Sequence, residues 1–189
     1  NFQIGASSKL SVQQNAGSVT PPAGFKNYIG FTSTSAYTAG SAELFDIRQF
    51  IEGFNTSDLD FGTANAKTIT ISFWVRSSLT GTFGGFISNS AYNRVYVFNY
   101  TISAANTWEQ KTITIAGDTS GTWIGATNGI GLTLSLTIAA GSAYQGSAGS
   151  WQAGSAFAVT GQTSVVGTNG ATFYITGVQL EVGSTATAF

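Results

Sequence analysis

Apolar and polar positions alternate along most of this chain. Across 68–76, Ile69, Ile71, Phe73 and Val75 share one parity, while Thr68, Thr70, Ser72 and Arg76 share the other. Successive side chains of a strand point to opposite faces, so this spacing predicts a half-buried β-strand. The same pattern recurs in Ile130, Leu132, Leu134, Leu136 and Ile138, with Thr133, Ser135 and Thr137 between them. Thr112-Ile113-Thr114-Ile115 repeats it after Trp108. These segments read as antiparallel strands with one wet face. Segment 43–52 also alternates, at Phe45, Ile47, Gln49 and Ile51, and predicts a strand rather than a helix.

Two segments depart from simple alternation. In 94–100, Val95 and Val97 point one way and Tyr96, Phe98 and Tyr100 the other, so this strand is covered on both sides, with a partner subunit as one candidate cover. Near the C-terminus, Phe173 and Ile175 share one parity, whereas Val178, Leu180 and Val182 share the opposite one. An inserted residue at Thr176-Gly177 would restore their facing, which predicts a β-bulge. Glycines separate the strands at intervals typical of a β-sandwich. The Gly/Ser/Ala-rich stretch 141–161 carries Tyr144, Trp151 and Phe157, too many large rings for a flexible linker. It reads as a long ordered loop. Residues 1–24, ending at Pro21-Pro22, are less regular and read as an incomplete first strand or a connection to an upstream segment. The whole, 1–189, reads as one domain.

Composition narrows the function. Of 189 residues, 42% are hydrophobic and only 8% are charged, with a net charge of −1. The surface is therefore built from Ser, Thr, Asn, Gln and Gly, which suits neutral ligands or burial against neighbouring subunits. Nothing supplies the basic field that nucleic acid or an anionic membrane would need. No apolar run is long enough to predict membrane insertion by a helix. The absence of Met points to a cut chain or to part of a longer one. With no His and no Cys, Ser-His-Asp and Cys-His nucleophile systems are excluded, as are zinc sites ligated by those residues. No two acidic residues fall in a recognisable glycosidase context. The expectation is a protein that is not an enzyme.

Several blocks resemble a known family. They are Ile47-Arg48-Gln49-Phe50-Ile51-Glu52-Gly53-Phe54-Asn55 with Asp58-Leu59, the run 66–78, and Asn106-Thr107-Trp108-Glu109-Gln110-Lys111 continuing through 117–123. Phe173-Tyr174-Ile175-Thr176-Gly177-Val178-Gln179-Leu180-Glu181-Val182-Gly183 completes the set. Together they resemble C-terminal domains of bacteriophage tail-fibre and related virion proteins. The resemblance implies an all-β, antiparallel jelly-roll β-sandwich like those of carbohydrate-binding modules, exposed on the virion, assembled as a homotrimer with other virion proteins. It implies attachment to a host-surface glycan. Two alternatives stand beside that function: a purely architectural capsid-decorating or fibre-tip module, and a carbohydrate-binding module of a secreted bacterial polysaccharide hydrolase.

Candidate ligand residues follow from sugar chemistry. Aromatic faces stack on the apolar C–H surface of a pyranose, with amides and hydroxyls fixing orientation. Trp123, Trp151, Tyr144, Tyr92 and Tyr37 lie in or beside Asn-, Gln-, Ser- and Thr-rich loops, and Arg94 could hold a glycan acid or cap a turn. The same rings could equally pack loops onto the sandwich or a neighbouring subunit. Asp58 and Asp60 flank Leu59 as candidate oxygen ligands for a structural calcium, or as a solvated turn. No other cofactor is expected. Glu52 and Glu181 are expected to pair with Arg48, Arg76 or Lys111.

Overall fold

The structure, a computed structural model, describes residues 2–189. Its strands are β1 (Phe2–Ile4), β2 (Leu10–Gln14), β3 (Ile29–Ser33), β4 (Leu44–Glu52), β5 (Ile69–Ser77), β6 (Gly81–Ser88) and β7 (Val95–Ile102). They continue with β8 (Glu109–Ile115), β9 (Ile130–Ala140), β10 (Gln145–Gly146), β11 (Trp151–Gln152), β12 (Ala158–Val159) and β13 (Thr172–Val182). Short 3-10 turns are the only helical elements among the described residues.

Two sheets stack as an antiparallel jelly-roll sandwich. The first has the order β1-β4-β9-β6-β7-β11 and the second β2-β3-β13-β5-β8. Most neighbours within a sheet are distant in sequence, so the chain crosses repeatedly between layers. The core lies between them: Ile69, Ile71, Phe73 and Val75 of β5 meet Leu132, Leu134, Leu136 and Ile138 of β9 in one cluster with Phe31, Phe83 and Phe173. Each such side chain contributes about 1.5–3 kcal/mol by leaving water, and their alternation along the chain is what selects these strands.

The bulge falls where the parity switch places it. Pairing of β13 with β5 shifts register between Thr176 and Gln179, and Gly177 there has φ +60°. The double coverage of β7 also holds, but the cover comes from the chain itself. Phe98 and Tyr100 enter the inter-sheet core, whereas Val95 and Val97 join Leu44, Phe86 and Phe157 on the outer face of the first sheet. The ordered stretch 141–161 supplies that cover.

The same cover overturns the wet face expected for β9. Thr133, Ser135 and Thr137 are all fully buried. Thr137 donates its hydroxyl to the Phe157 carbonyl at 2.6 Å, and Ser135 donates to Asp46 Oδ2 at 2.5 Å. Short-range alternation cannot register a loop that folds back from elsewhere in the chain. The expected ion pairs are also corrected. Arg48 pairs with Asp46, and Lys111 with Glu109. Arg76 donates to the Asn106 carbonyl and lies over the Tyr174 ring. Glu52 is exposed, and Glu181 accepts from the Thr187 backbone and hydroxyl. Within the segment 1–24, the described residues from Phe2 onward supply two short edge strands: β1 antiparallel to β4 in one sheet, and β2 antiparallel to β3 in the other.

Candidate binding site at one end of the sandwich

The connection from β4 to β5 and that from β8 to β9 meet over the end of the core. Their meeting depends on Asp118, which is 1% exposed. Its Oδ1 accepts from the Ser120 backbone N–H at 3.1 Å, a local turn of the kind short polar side chains favour. It also accepts a two-point charge-assisted contact from Arg94, Nε at 2.7 Å and Nη2 at 2.6 Å. The carboxylate beside it holds the Arg94 guanidinium above its ordinary pKa. Its Oδ2 and the Ser120 carbonyl accept from Trp123 Nε1 at 3.2 and 3.3 Å. One buried carboxylate thus orients the indole.

The indole is gripped edge-on as well. Trp123 lies 4.8 Å from Phe61 and 5.5 Å from Trp151, both in T-shaped contact. Trp151, in the edge strand β11, donates its Nε1 to the Ala116 carbonyl at 2.7 Å and meets Tyr96 at 5.3 Å. Gly62 closes the corner. A Cβ there would stand 2.8 Å from the Gly121 carbonyl oxygen and 3.2 Å from the Trp123 ring. Beside half-buried Trp123 lies a hollow of about 150 Å³, walled by Thr56, Ser57, Asp60, Thr63 and Ile124 and floored by Phe61 and Leu132. An apolar ring edge facing hydroxyls and a carboxylate is an arrangement suited to a polyhydroxylated ligand.

The remaining sequence-derived candidates sit elsewhere. Tyr92 and Tyr144 both pack against Phe157, at 5.8 and 5.5 Å, on the outer face of the first sheet. The Tyr92 hydroxyl accepts from Arg48 Nη1 at 3.0 Å. Tyr37 donates to Glu43 Oε2 at 2.7 Å under the Lys9 ammonium. Arg94 reaches the site only through Asp118. Asp58 is exposed and its carbonyl takes the Lys67 ammonium, which also stands 3.7 Å from the Asp60 carboxylate. Calcium needs 6–8 oxygen ligands, and among the described residues no three acidic, His or Cys side chains gather. Lys67 thus meets the Asp58 backbone and the Asp60 carboxylate. Asp60 instead becomes a wall of the hollow. Asp118 and Phe61 hold Trp123 in place, and sequence reasoning passed over both, although Gly117-Asp118-Thr119-Ser120-Gly121 carries a readable turn signal.

A second concavity of about 720 Å³ opens between the sheets, where β4 and β9 part from β2, β3 and β13. Ile47, Ile51, Leu134, Leu136, Ile175 and Leu180 line it, with Gln13, Gln14, Asn27 and Gln49 among them. Alternation alone predicts such inward residues to be covered, so the sequence carries no sign of this cleft.

No protein-family model matches the sequence, and no curated protein matches it. Among solved structures, the chain is similar to TmCBM61 in complex with β-1,4-galactotriose, at 9% identity over 96% of this chain and 88% of that one, with a TM-score of 0.46. It is also similar to the Clostridium thermocellum xylanase 10B CBM22-1-GH10 modules complexed with xylohexaose, at 14% identity over 99% of this chain and 27% of that one, TM-score 0.47. A third similarity is to the enzymatically active domain of bacteriophage CBA120 tailspike protein 4, at 11% identity over 93% of this chain and 19% of that one, TM-score 0.44.

Proposed function

We propose that this chain is a non-catalytic domain of a bacteriophage virion appendage, such as a tail fibre, and that it captures neutral host-surface glycans. The observation that carries the reading is the half-buried Trp123, held by Asp118, Phe61 and Trp151 beside a hydroxyl-lined hollow. Its indole is oriented before any ligand arrives, which lowers the ordering cost of binding. The blocks resembling tail-fibre domains supply the virion setting. A hollow this small offers weak single-site affinity, and several copies presented together would strengthen adhesion by as much as ~10²–10⁴-fold.

The test is binding of purified chain to an array of bacterial surface polysaccharides, followed by calorimetry on any hit. W123A is expected to weaken a hit at least about tenfold, equivalent to about 1.4 kcal/mol, with circular dichroism unchanged. S57A, which alters the polar wall, gives a smaller loss. A parent chain that binds no polysaccharide, or a folded W123A that binds as tightly as the parent, overturns the reading.

An architectural role is favoured at Tyr92 and Tyr144, whose rings are taken up by Phe157 and so serve the fold.

A further inference from the structure

Resting on the glycan reading of the same site, we infer that the hollow beside Trp123 takes a single sugar unit at the end of a glycan chain or branch, through its hydroxyl hydrogens, rather than a stretch from the middle of a linear polymer. Three ring planes set this mode. Trp123 stands at 81° to Phe61 and 88° to Trp151, and Phe61 stands at 80° to Trp151. The planes are close to mutually perpendicular, like the faces of a box corner. A sugar stacks by laying its C–H face parallel to an aromatic ring. Consecutive units of an extended chain lie roughly in one ribbon, so a chain stacked on Trp123 cannot lay its next unit on Trp151, 5.5 Å away. Tyr96, the next ring outward, is turned 65° from Trp151 and offers no continuation.

The size and the wall of the hollow agree. Its 150 Å³ is the liquid volume of about five waters, which is room for one sugar ring and not for two. A Cβ on Gly62 would stand 2.8 Å from the Gly121 carbonyl oxygen and 3.2 Å from the Trp123 ring, so backbone closes that side of the indole to a chain. Thr56 and Thr63 donate their hydroxyl hydrogens to the Glu52 and Asp60 carbonyls, at 3.3 and 2.7 Å. The Lys67 ammonium, 3.7 Å from the Asp60 carboxylate, lies beyond hydrogen-bond reach of it. What Thr56, Thr63 and Asp60 present to a ligand is therefore lone pairs. A sugar with free hydroxyls supplies donors to such a wall, whereas an acidic or sulfated sugar meets the Asp60 charge. An end unit carries more free hydroxyls than an interior unit, whose linkages consume them. An acceptor wall therefore favours the end.

The probe is the polysaccharide identified by the array, cut by partial acid hydrolysis into a ladder from monosaccharide to hexasaccharide and titrated by calorimetry. From disaccharide to hexasaccharide the affinity per molecule is expected to change by less than about threefold. The hydrolysate is expected to compete better than the same mass of intact polysaccharide, because cutting creates ends. D60N, which puts an amide donor in place of one acceptor oxygen, is expected to weaken every member of the ladder by a common factor of at least about five, with circular dichroism unchanged. An array without a hit, or a hit that W123A leaves intact, overturns the glycan reading and this mode with it. A hit sensitive to W123A whose affinity climbs about tenfold or more with length, or a hydrolysate that competes no better than the intact polymer, overturns the single-unit mode alone. So does a D60N chain that binds the ladder as the parent does.

Discussion

Asp118 does three things at one buried point: it terminates a turn, neutralises Arg94 and aims Trp123. Removing a buried carboxylate strands its partners, and D118A is expected to cost about 2–4 kcal/mol, at the lower end because Arg94 is partly exposed. A falling urea midpoint and a red-shifted tryptophan emission would report it; an unchanged midpoint would refute the role. Asp46 makes a pH-dependent case. Burial on the outer face of the first sheet, opposed by Arg48 and Ser135, pushes its carboxyl above the ordinary carboxylate range. A carboxyl raised on folding favours the protonated native state, so its contribution declines as pH rises from the unfolded value through the folded one. Glu43 runs the other way. The Tyr37 hydroxyl and the Gly40 N–H hold it low, so its contribution is present above the unfolded value and fades as pH falls through the folded one. Relative to D46N, the parent chain should therefore lose stability as pH rises from about 4, the ordinary carboxylate value. Urea melts of both proteins from that pH upward decide it, and a gap that stays constant or changes in the opposite sense removes the argument.

Among the strands, β13 shows how one residue serves a whole element. Its first half faces the core through Phe173 and Ile175, and the bulge at Gly177 lets Leu180 face inward again beside Ile71 of β5. Gly177 sits at φ +60°, and a Cβ there would meet the Phe25 ring at 2.5 Å. A left-handed backbone costs an L residue about 1–2 kcal/mol, so G177A should lower stability by at least that. G125A, where added Cβ meets nothing within 4 Å, should stay within about 0.5 kcal/mol of the parent. Equal melting of the two variants would count against the bulge as the determinant of register. The parity switch that marks this bulge is legible in the chain because both of its sides are core positions. Thr133, Ser135 and Thr137 are the opposite case. Their polarity suits solvent, yet hydrogen bonds to Asp46 and the Phe157 carbonyl let two of them stay buried.

At the scale of the molecule, the sandwich leaves its two ends and edges unequal. One end carries the Trp123 hollow, assembled from loops that are 64 residues apart in the chain at Leu59 and Trp123. One side carries the apolar cleft between Ile47 and Ile51 of β4, Leu134 and Leu136 of β9, and Ile175 and Leu180 of β13. The outer face of the first sheet is closed by the segment around Phe157, which packs on Phe86, Tyr92 and Tyr144.

The order of hydrophobic and polar residues by itself determined that the segments of β4, β5, β7, β8, β9 and β13 are strands and where β13 must bulge, because side-chain facing has a period of two and is written locally; β6 (Gly81–Ser88) escaped it, since Gly81, Gly84 and Gly85 read as breaks between strands and only the sheet shows them paired within one. The lack of His and Cys likewise restricted the chemistry before any fold was known. What only the tertiary structure decided is which rings meet and which carboxylate is buried beside which cation. Those outcomes depend on long-range crossings between sheets. No local spacing encodes that Asp118 will find Arg94, or that Trp123 will meet Phe61 and Trp151.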